Sequence, residues 1–179
     1  MDGLQYGPAI PACRVTVLVP DLLMVDAAID GAEALSRALG GYEVAEGWEV
    51  FPEALPAVRD ALAEDPGSTR WGTRLFVLDE PQMLVGWGGF KGPPTGGVVE
   101  LGYSIAPDLR GRGIASDAVR ELLREAFSSS ELQAVIAHTL AKPGPSTKVL
   151  EKTGFAYDGE VTDEEDGQLW RWRHDRPLR

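Results

Sequence analysis

The chain has one cysteine, Cys13, among its 179 residues. This excludes an intramolecular disulfide and any zinc site built from several thiolates, and no metal is expected. Basic residues are also scarce: 17 against 28 acidic ones, for a net charge of −11. A surface so poor in positive charge argues against general nucleic-acid binding, which needs a basic stripe. No apolar run approaches the ~20 residues required to cross a bilayer. Ile10-Pro11-Ala12-Cys13 has the look of a lipoprotein cleavage box, but nothing basic and no sufficient apolar stretch precedes it. The expected setting is therefore cytoplasmic, with neither membrane nor nucleic acid as a partner.

What the chain does have is an ordinary globular composition, 44% hydrophobic and 25% charged. Its length suits a single domain over residues 1–179, with a Gly- and Pro-rich irregular lead-in over 1–12. The charge is uneven. Residues 1–90 hold 14 acids and 5 bases, whereas residues 91–179 hold 14 acids and 12 bases. The second half is thus the better place for a polyanionic ligand. The acidic first half either steers a cationic partner or only keeps the protein soluble.

Hydrophobic periodicity and breakers divide the chain into alternating elements. Cys13 to Val19 reads as a strand. Asp21 caps a helix running to about Leu39 and ended by Gly40-Gly41. Pro52 and Glu53 open a second helix, with Leu55, Val58 and Leu62 at helical spacing, closed by Asp65-Pro66-Gly67. Trp71–Leu78 and Met83–Phe90 flank a turn, and Val98–Ala106 follows a Gly/Pro loop. Ala115, Ala118, Leu122 and Ala126 form the stripe of an amphipathic helix with Val119 and Leu123 beside it, and Glu121 and Glu125 alternate with Arg120 and Arg124 on its wet side. Gln133–Leu140 reads as a buried strand and Pro145–Thr153 as a short helix stopped by Gly154. Phe155–Thr162 and Gln168–His174 make a last hairpin around an acidic loop. The periodicity supports a mixed α/β class and no more.

The most informative stretch joins the strand ending at Ala106 to the amphipathic helix. It reads Pro107-Asp108-Leu109-Arg110-Gly111-Arg112-Gly113-Ile114-Ala115. The first amides of a helix have no intrahelical acceptor and can converge on one anion. Gly111 and Gly113 permit close backbone approach, and Arg110 and Arg112 bring positive charge to the same place. The turn reads as a pyrophosphate cradle. It is not a Walker A loop, because no Lys-Ser or Lys-Thr follows the glycines. A dinucleotide fingerprint would open the first strand–helix unit, whereas three candidate strands precede this turn.

Arg110-Gly111-Arg112-Gly113-Ile114-Ala115 resembles the R/Q-x-x-G-x-G/A motif of the GNAT (Gcn5-related N-acetyltransferase) superfamily. The flanks strengthen the resemblance. They are Gly89–Pro94, Glu100-Leu101-Gly102-Tyr103-Ser104-Ile105, His138-Thr139-Leu140, and Ser146-Thr147-Lys148-Val149-Leu150-Glu151-Lys152-Thr153-Gly154-Phe155. Together they are similar to the RimJ/RimL-type branch over roughly residues 83–157. The resemblance implies a GNAT fold with element order β-α-α-β-β-β-α-β-α-β-β. It implies acetyl-CoA as co-substrate and a primary amine as acceptor, either a protein N-terminus or a small amine. A homodimer is compatible with it.

It also implies roles for particular residues. Backbone groups of Ser104, Ile105 and Ala106 would pair with the pantetheine arm, and the amides from Arg110 through Gly111, Arg112, Gly113 and Ile114 to Ala115 would hold the pyrophosphate. Glu100 is the candidate general base, with a pKa expected to be raised by partial burial; otherwise it is a solvent-facing or hydrogen-bonded strand residue. Ser146 either reaches the cofactor sulfur or pantetheine, or caps its helix. His138 is expected to be a packed core histidine, and Cys13 a small buried residue. Trp170 and Trp172 share a strand face, as core or pocket wall. Glu43, Glu46, Glu49, Glu53 and the Glu160–Asp166 loop flank where the family admits its acceptor. The chain departs from the family at Pro143, where an Asn commonly contacts the pantetheine; proline offers neither side-chain amide nor N–H. That departure motivates a second reading, a catalytically impaired acyl-CoA-binding sensor or interaction module.

Overall fold

A computed structural model describes residues 14–65 and 68–177. The lead-in over 1–12, Cys13 and the Pro66-Gly67 breaker lie outside the described residues. Eight strands form one sheet in the order β1-β3-β4-β5-β6-β8-β7, with β2 beside β4. The strands are β1 (Val15–Leu18), β2 (Glu43–Val44), β3 (Thr73–Leu78), β4 (Met83–Phe90), β5 (Val98–Ile105), β6 (Ala134–Leu140), β7 (Ala156–Asp163) and β8 (Gly167–Asp175). The helices are α1 (Leu22–Asp30), α2 (Ala32–Ala38), α3 (Leu55–Glu64), α4 (Ile114–Ala126) and α5 (Pro145–Lys152).

Two departures from the expected order have local causes. The single helix expected over 21–39 is two, because Gly31 sits at φ +118° and serves as the last cap of α1 and the first of α2. Its N–H donates to Ala27 and its carbonyl accepts from Leu35, so the ladder is handed across the break. The two-residue strand β2 is too short for any alternation to show in the sequence. It runs parallel to β4, pairing Glu43 with Met83.

The sheet divides the core into two layers. Phe76, Leu101, Ile105, Val119, Leu122 and Leu150 pack on the α4–α5 side. Leu35, Trp48, Leu55, Leu75, Leu84 and Trp87 pack on the side of α1–α3. Such a three-layer arrangement covers both sheet faces, as the parallel β5–α4–β6 crossover requires.

On α4 the expected stripe holds at Ala118, Leu122 and Ala126, but Ala115 is only half-buried and Ile114 and Val119 complete the face. The expected wet side is broken at Glu125. Its carboxylate receives the guanidinium of Arg74, which is 1% exposed. Arg74 also donates to the carbonyls of Thr69 (2.6 Å), Arg70 (2.7 Å), Gly72 (3.2 Å) and Thr73 (3.0 Å). A buried guanidinium requires such partners, and here they bind the loop before β3 to α4.

The last hairpin forms as expected, closed by Asp163, which accepts from the amides of Glu165 and Asp166 at 2.9 Å each. Trp172 is buried and donates its indole N–H to Thr139 at 3.0 Å, while Trp170 donates to Glu160 at 3.2 Å. Both are therefore walls of the structure.

Candidate active site

The sheet opens at its centre. β5 and β6 are parallel neighbours paired only at Val98–Ala134, Val99–Val135 and Glu100–Ile136. Beyond Glu100, β5 stays on β4 as far as Ile105, while β6 stays on β8 as far as Leu140. The two strands part, and among the described residues no strand fills the fork between them.

Strand alternation decides which backbone groups face the fork. The Glu100 carbonyl accepts from Lys91 N–H (2.9 Å), and Ala106 N–H donates to Val85 (2.9 Å). Even-numbered residues of β5 thus turn their backbone groups to β4, and those of Tyr103 and Ile105 turn to the fork. Of the three residues expected to pair with a pantetheine arm, Ile105 is placed to do so, whereas Ser104 and Ala106 are committed to β4. Tyr103 is absent from that expectation, and counting alternate positions from Glu100 finds it.

The cradle stands at the end of β5. Gly111 has φ +76° and Gly113 φ +87°, both left-handed, where L side chains are strained. Gly113 is the N-cap of α4, and no side chain caps this helix. The amides of Ile114, Ala115 and Ser116 therefore have no intrahelical acceptor. Nothing lies within 4 Å of where a Cβ on Gly111 or Gly113 would stand, so the space over the turn is open. Arg110 Nε donates to the Ile105 carbonyl at 3.0 Å and Arg112 to the Asp108 carbonyl at 3.1 Å. Both guanidinium groups thus brace the turn as well as charging it.

Glu100 lies where the strands part. Its Oε1 is 2.5 Å from Lys91 Nζ and 3.0 Å from His138 Nδ1. The expected rise in its pKa is not what this environment produces. Burial does push the carboxyl upward, but His138 and Lys91 close to its Oε1 outweigh it and hold the group below its ordinary 4.5. His138 is likewise not a packed core histidine: its side chain is 19% exposed and turned to Glu100. The link between β5 and β6 that brings them together is not legible in the sequence, because it depends on the register of two strands 38 positions apart.

Ser146 occupies the second position of α5 and is exposed. It does not cap the helix. Thr147 does so, its hydroxyl donating to the Gly144 carbonyl (2.8 Å) and accepting from the Gly144 amide (3.0 Å). The Ser146 carbonyl instead accepts from the Tyr103 hydroxyl at 3.2 Å, which ties α5 to β5 on the α4–α5 side of the fork. Burial raises the Tyr103 phenol well above its ordinary value, so it stays protonated and donating. Pro143 is exposed in the loop before α5.

Acidic groups border the site from two directions. Gly47 lies against Pro107 at the end of β5, which brings the Glu43–Glu53 segment beside the cradle end of the strand. In the β7–β8 turn, the amides of Asp166 and Glu165 lower the Asp163 carboxyl, with smaller contributions from Lys91 and His138, so this turn lies within electrostatic reach of the Glu100 cluster. An apolar groove of about 630 Å³ opens between α3 and the strand ends, with Ala57, Val58 and Ala61 on one wall and Trp71, Phe90 and Gly92 on the other. Lys91, Glu100 and His138 do not line this groove.

Residues 24–156 match the family model described as Acetyltransferase (GNAT) domain. The chain belongs to the GNAT acetyltransferase family. Among curated relatives, it is 28% identical over 145 residues to the uncharacterized N-acetyltransferase YjdG of Bacillus subtilis (strain 168), covering 79% of this chain and 86% of YjdG. The GNAT fold recurs in the ribosomal-protein-S5-alanine acetyltransferase of Vibrio fischeri, with TM-score 0.68 at 17% identity, covering 94% of this chain and 97% of that one. It recurs too in Mycobacterium smegmatis RimJ in complex with CoA-disulfide, with TM-score 0.65 at 20% identity over 90% and 81% of the two chains. This GNAT protein is accordingly an N-acetyltransferase. Among the described residues, no helix is long and apolar enough to cross a membrane, and no group of three or more His, Cys, Asp or Glu could hold a metal ion.

Proposed function

We propose that this GNAT enzyme transfers an acetyl group from acetyl-CoA to a primary amine, either a protein N-terminus or a small amine. The observation that carries the reading is the fork between β5 and β6 with uncapped α4 amides at its end. Acetyl-CoA supplies an activated acyl group on a thiol leaving group. The chain's contribution is to hold the extended arm along the fork edge of β5, through the backbone groups of Tyr103 and Ile105. The amides from Gly111 to Ala115 bind the pyrophosphate, that of Arg110 being donated to the Pro107 carbonyl. Two bound ends fix the position of the thioester between them, which removes much of the entropic cost of the encounter.

The acceptor reaches the fork from the Glu100 side. An ammonium has no lone pair, so a proton must leave it before it can attack, and the Glu100 cluster is where that proton goes. Ser146, at the start of α5, is assigned to the departing sulfur. The acidic rim of Glu43–Glu53 and Glu160–Asp166 attracts a cationic acceptor. Thiol release from acetyl-CoA, measured against a panel of N-terminal peptides, polyamines and small amines, tests the proposal. Amine-dependent release supports it; CoA binding with no release for any amine overturns it in favour of a binding module.

A further inference from the structure

We propose that His138, positioned by Glu100, is the group that takes the proton from the acceptor amine. The inference rests on the acetyl transfer proposed above and changes the route of the proton within it. Glu100 Oε1 lies 3.0 Å from His138 Nδ1 and is buried with no hydrogen-bond donor aimed at it; a carboxylate so close, which can only accept, favours the ring tautomer with its proton on Nδ1. Engaging Nδ1 leaves Nε2 as the basic nitrogen of the neutral ring. The same Glu100 oxygen is 2.5 Å from Lys91 Nζ, so two nitrogen groups crowd one carboxylate oxygen.

A carboxylate held beside Lys91 and His138 is a poor proton acceptor, and the lowered Glu100 pKa agrees with this. It is well suited to holding a ring and to stabilising the imidazolium that forms. The charged groups facing the ring come from four elements: Glu100 from β5, Lys91 from the end of β4, Asp163 from the β7–β8 turn, and Arg171 opposite His138 in the β6–β8 register. Arg171 is itself engaged, its Nε lying 2.9 Å from Asp158. Partial exposure of His138 leaves it a path to solvent.

The protons balance. The ammonium gives one proton to Nε2, and the freed lone pair forms the N–C bond at the thioester carbonyl. The C–S bond breaks, and the second proton lost by the nitrogen ends on the departing sulfur. The imidazolium then returns its proton to water. Glu100 is a positioning residue in this scheme.

Two variants separate the roles: His138→Asn and Glu100→Gln, each checked by calorimetry for unchanged CoA affinity. For H138N we expect kcat to fall about 10²-fold, with loss of the acid limb of the pH–kcat/KM profile. For E100Q the fall should be about tenfold, with the limb retained and KM unchanged. Imidazole added to H138G should restore part of the turnover. An acid limb that persists in H138N and vanishes in E100Q overturns the proposal, as does H138N with wild-type turnover.

A readout independent of any acceptor is the nitrogen NMR spectrum of the imidazole rings. Only two histidines are present, so H138N assigns them. His138 should be the Nδ1–H tautomer in the wild type and lose that preference in Glu100→Leu, which removes the acceptor that glutamine would keep. An Nε2–H ring in the wild type refutes the dyad. If the tautomer is as expected but no amine is acetylated, the failure lies with the proposed function.

Discussion

Replacing Gly113 with alanine separates what the cradle does for the fold from what it does for the ligand. At φ +87° the new Cβ meets no neighbour within 4 Å, so the cost to the folded protein is the left-handed backbone alone. That cost is about 1–2 kcal/mol for an L residue. A chain of this size loses roughly 2–4 °C of Tm per kcal/mol, which gives a fall of about 2–8 °C. Gly40, after α2, has the same properties, with φ +73° and no neighbour within 4 Å. Gly40→Ala should therefore lose a similar Tm while leaving the cradle untouched.

The two variants should part on binding. Over Gly113 the open space is where the pyrophosphate would lie, so a methyl group there pushes the anion off at least one amide. A hydrogen bond to a charged group is worth about 1.5–3 kcal/mol, which corresponds to roughly 10- to 150-fold in Kd for CoA by titration calorimetry. Gly40→Ala should bind CoA as the wild type does. Equal CoA affinity in both variants, with equal Tm losses, would refute the cradle and leave Gly113 an ordinary helix cap.

Three further outcomes are expected. Arg74→Met should destabilise the fold by about 3 kcal/mol in urea, near the low end for breaking a buried pair because Glu125 keeps contact with water; a change under about 1 kcal/mol would show that the carbonyls of Thr69–Thr73 do not need it. The folded Glu100 carboxyl lies below 4.5, so its contribution to stability is present above that pH and is lost as pH falls through the lower folded value. Between pH 6 and 3 the wild type should therefore lose more stability than Glu100→Gln, and parallel curves would show no net gain from the cluster. KM for a cationic acceptor should rise with ionic strength and on charge reversal of Glu46 and Asp163, since salt screens exposed charges beyond about 8–10 Å; a KM indifferent to both leaves these acids as solubility residues.

Much of this protein is legible in its amino-acid sequence. The anion-binding turn is local, because helix-start amides and two left-handed glycines lie within a few residues of one another. Helix α4, the strands from Thr73 to Ile105 and the closing hairpin follow from periodicities of 3.6 and 2, which any short window contains. Ile105 at the fork is within reach of the same reasoning. Tyr103 becomes legible too once the alternation of backbone groups is counted from Glu100.

What tertiary structure alone decided is where distant segments meet. Whether Glu100 is raised or lowered depends on Lys91 and His138, and His138 arrives only when β6 pairs with β5 for three residues and then departs. Whether Glu125 faces water depends on Arg74, 51 positions earlier, coming through the core to meet it. Local backbone preference reaches a few residues along the chain, whereas the charge and solvation of a side chain depend on everything within several ångströms in space. The sequence therefore determined the scaffold and the cradle, and the packing of β4, β5 and β6 determined the electrostatics of the site.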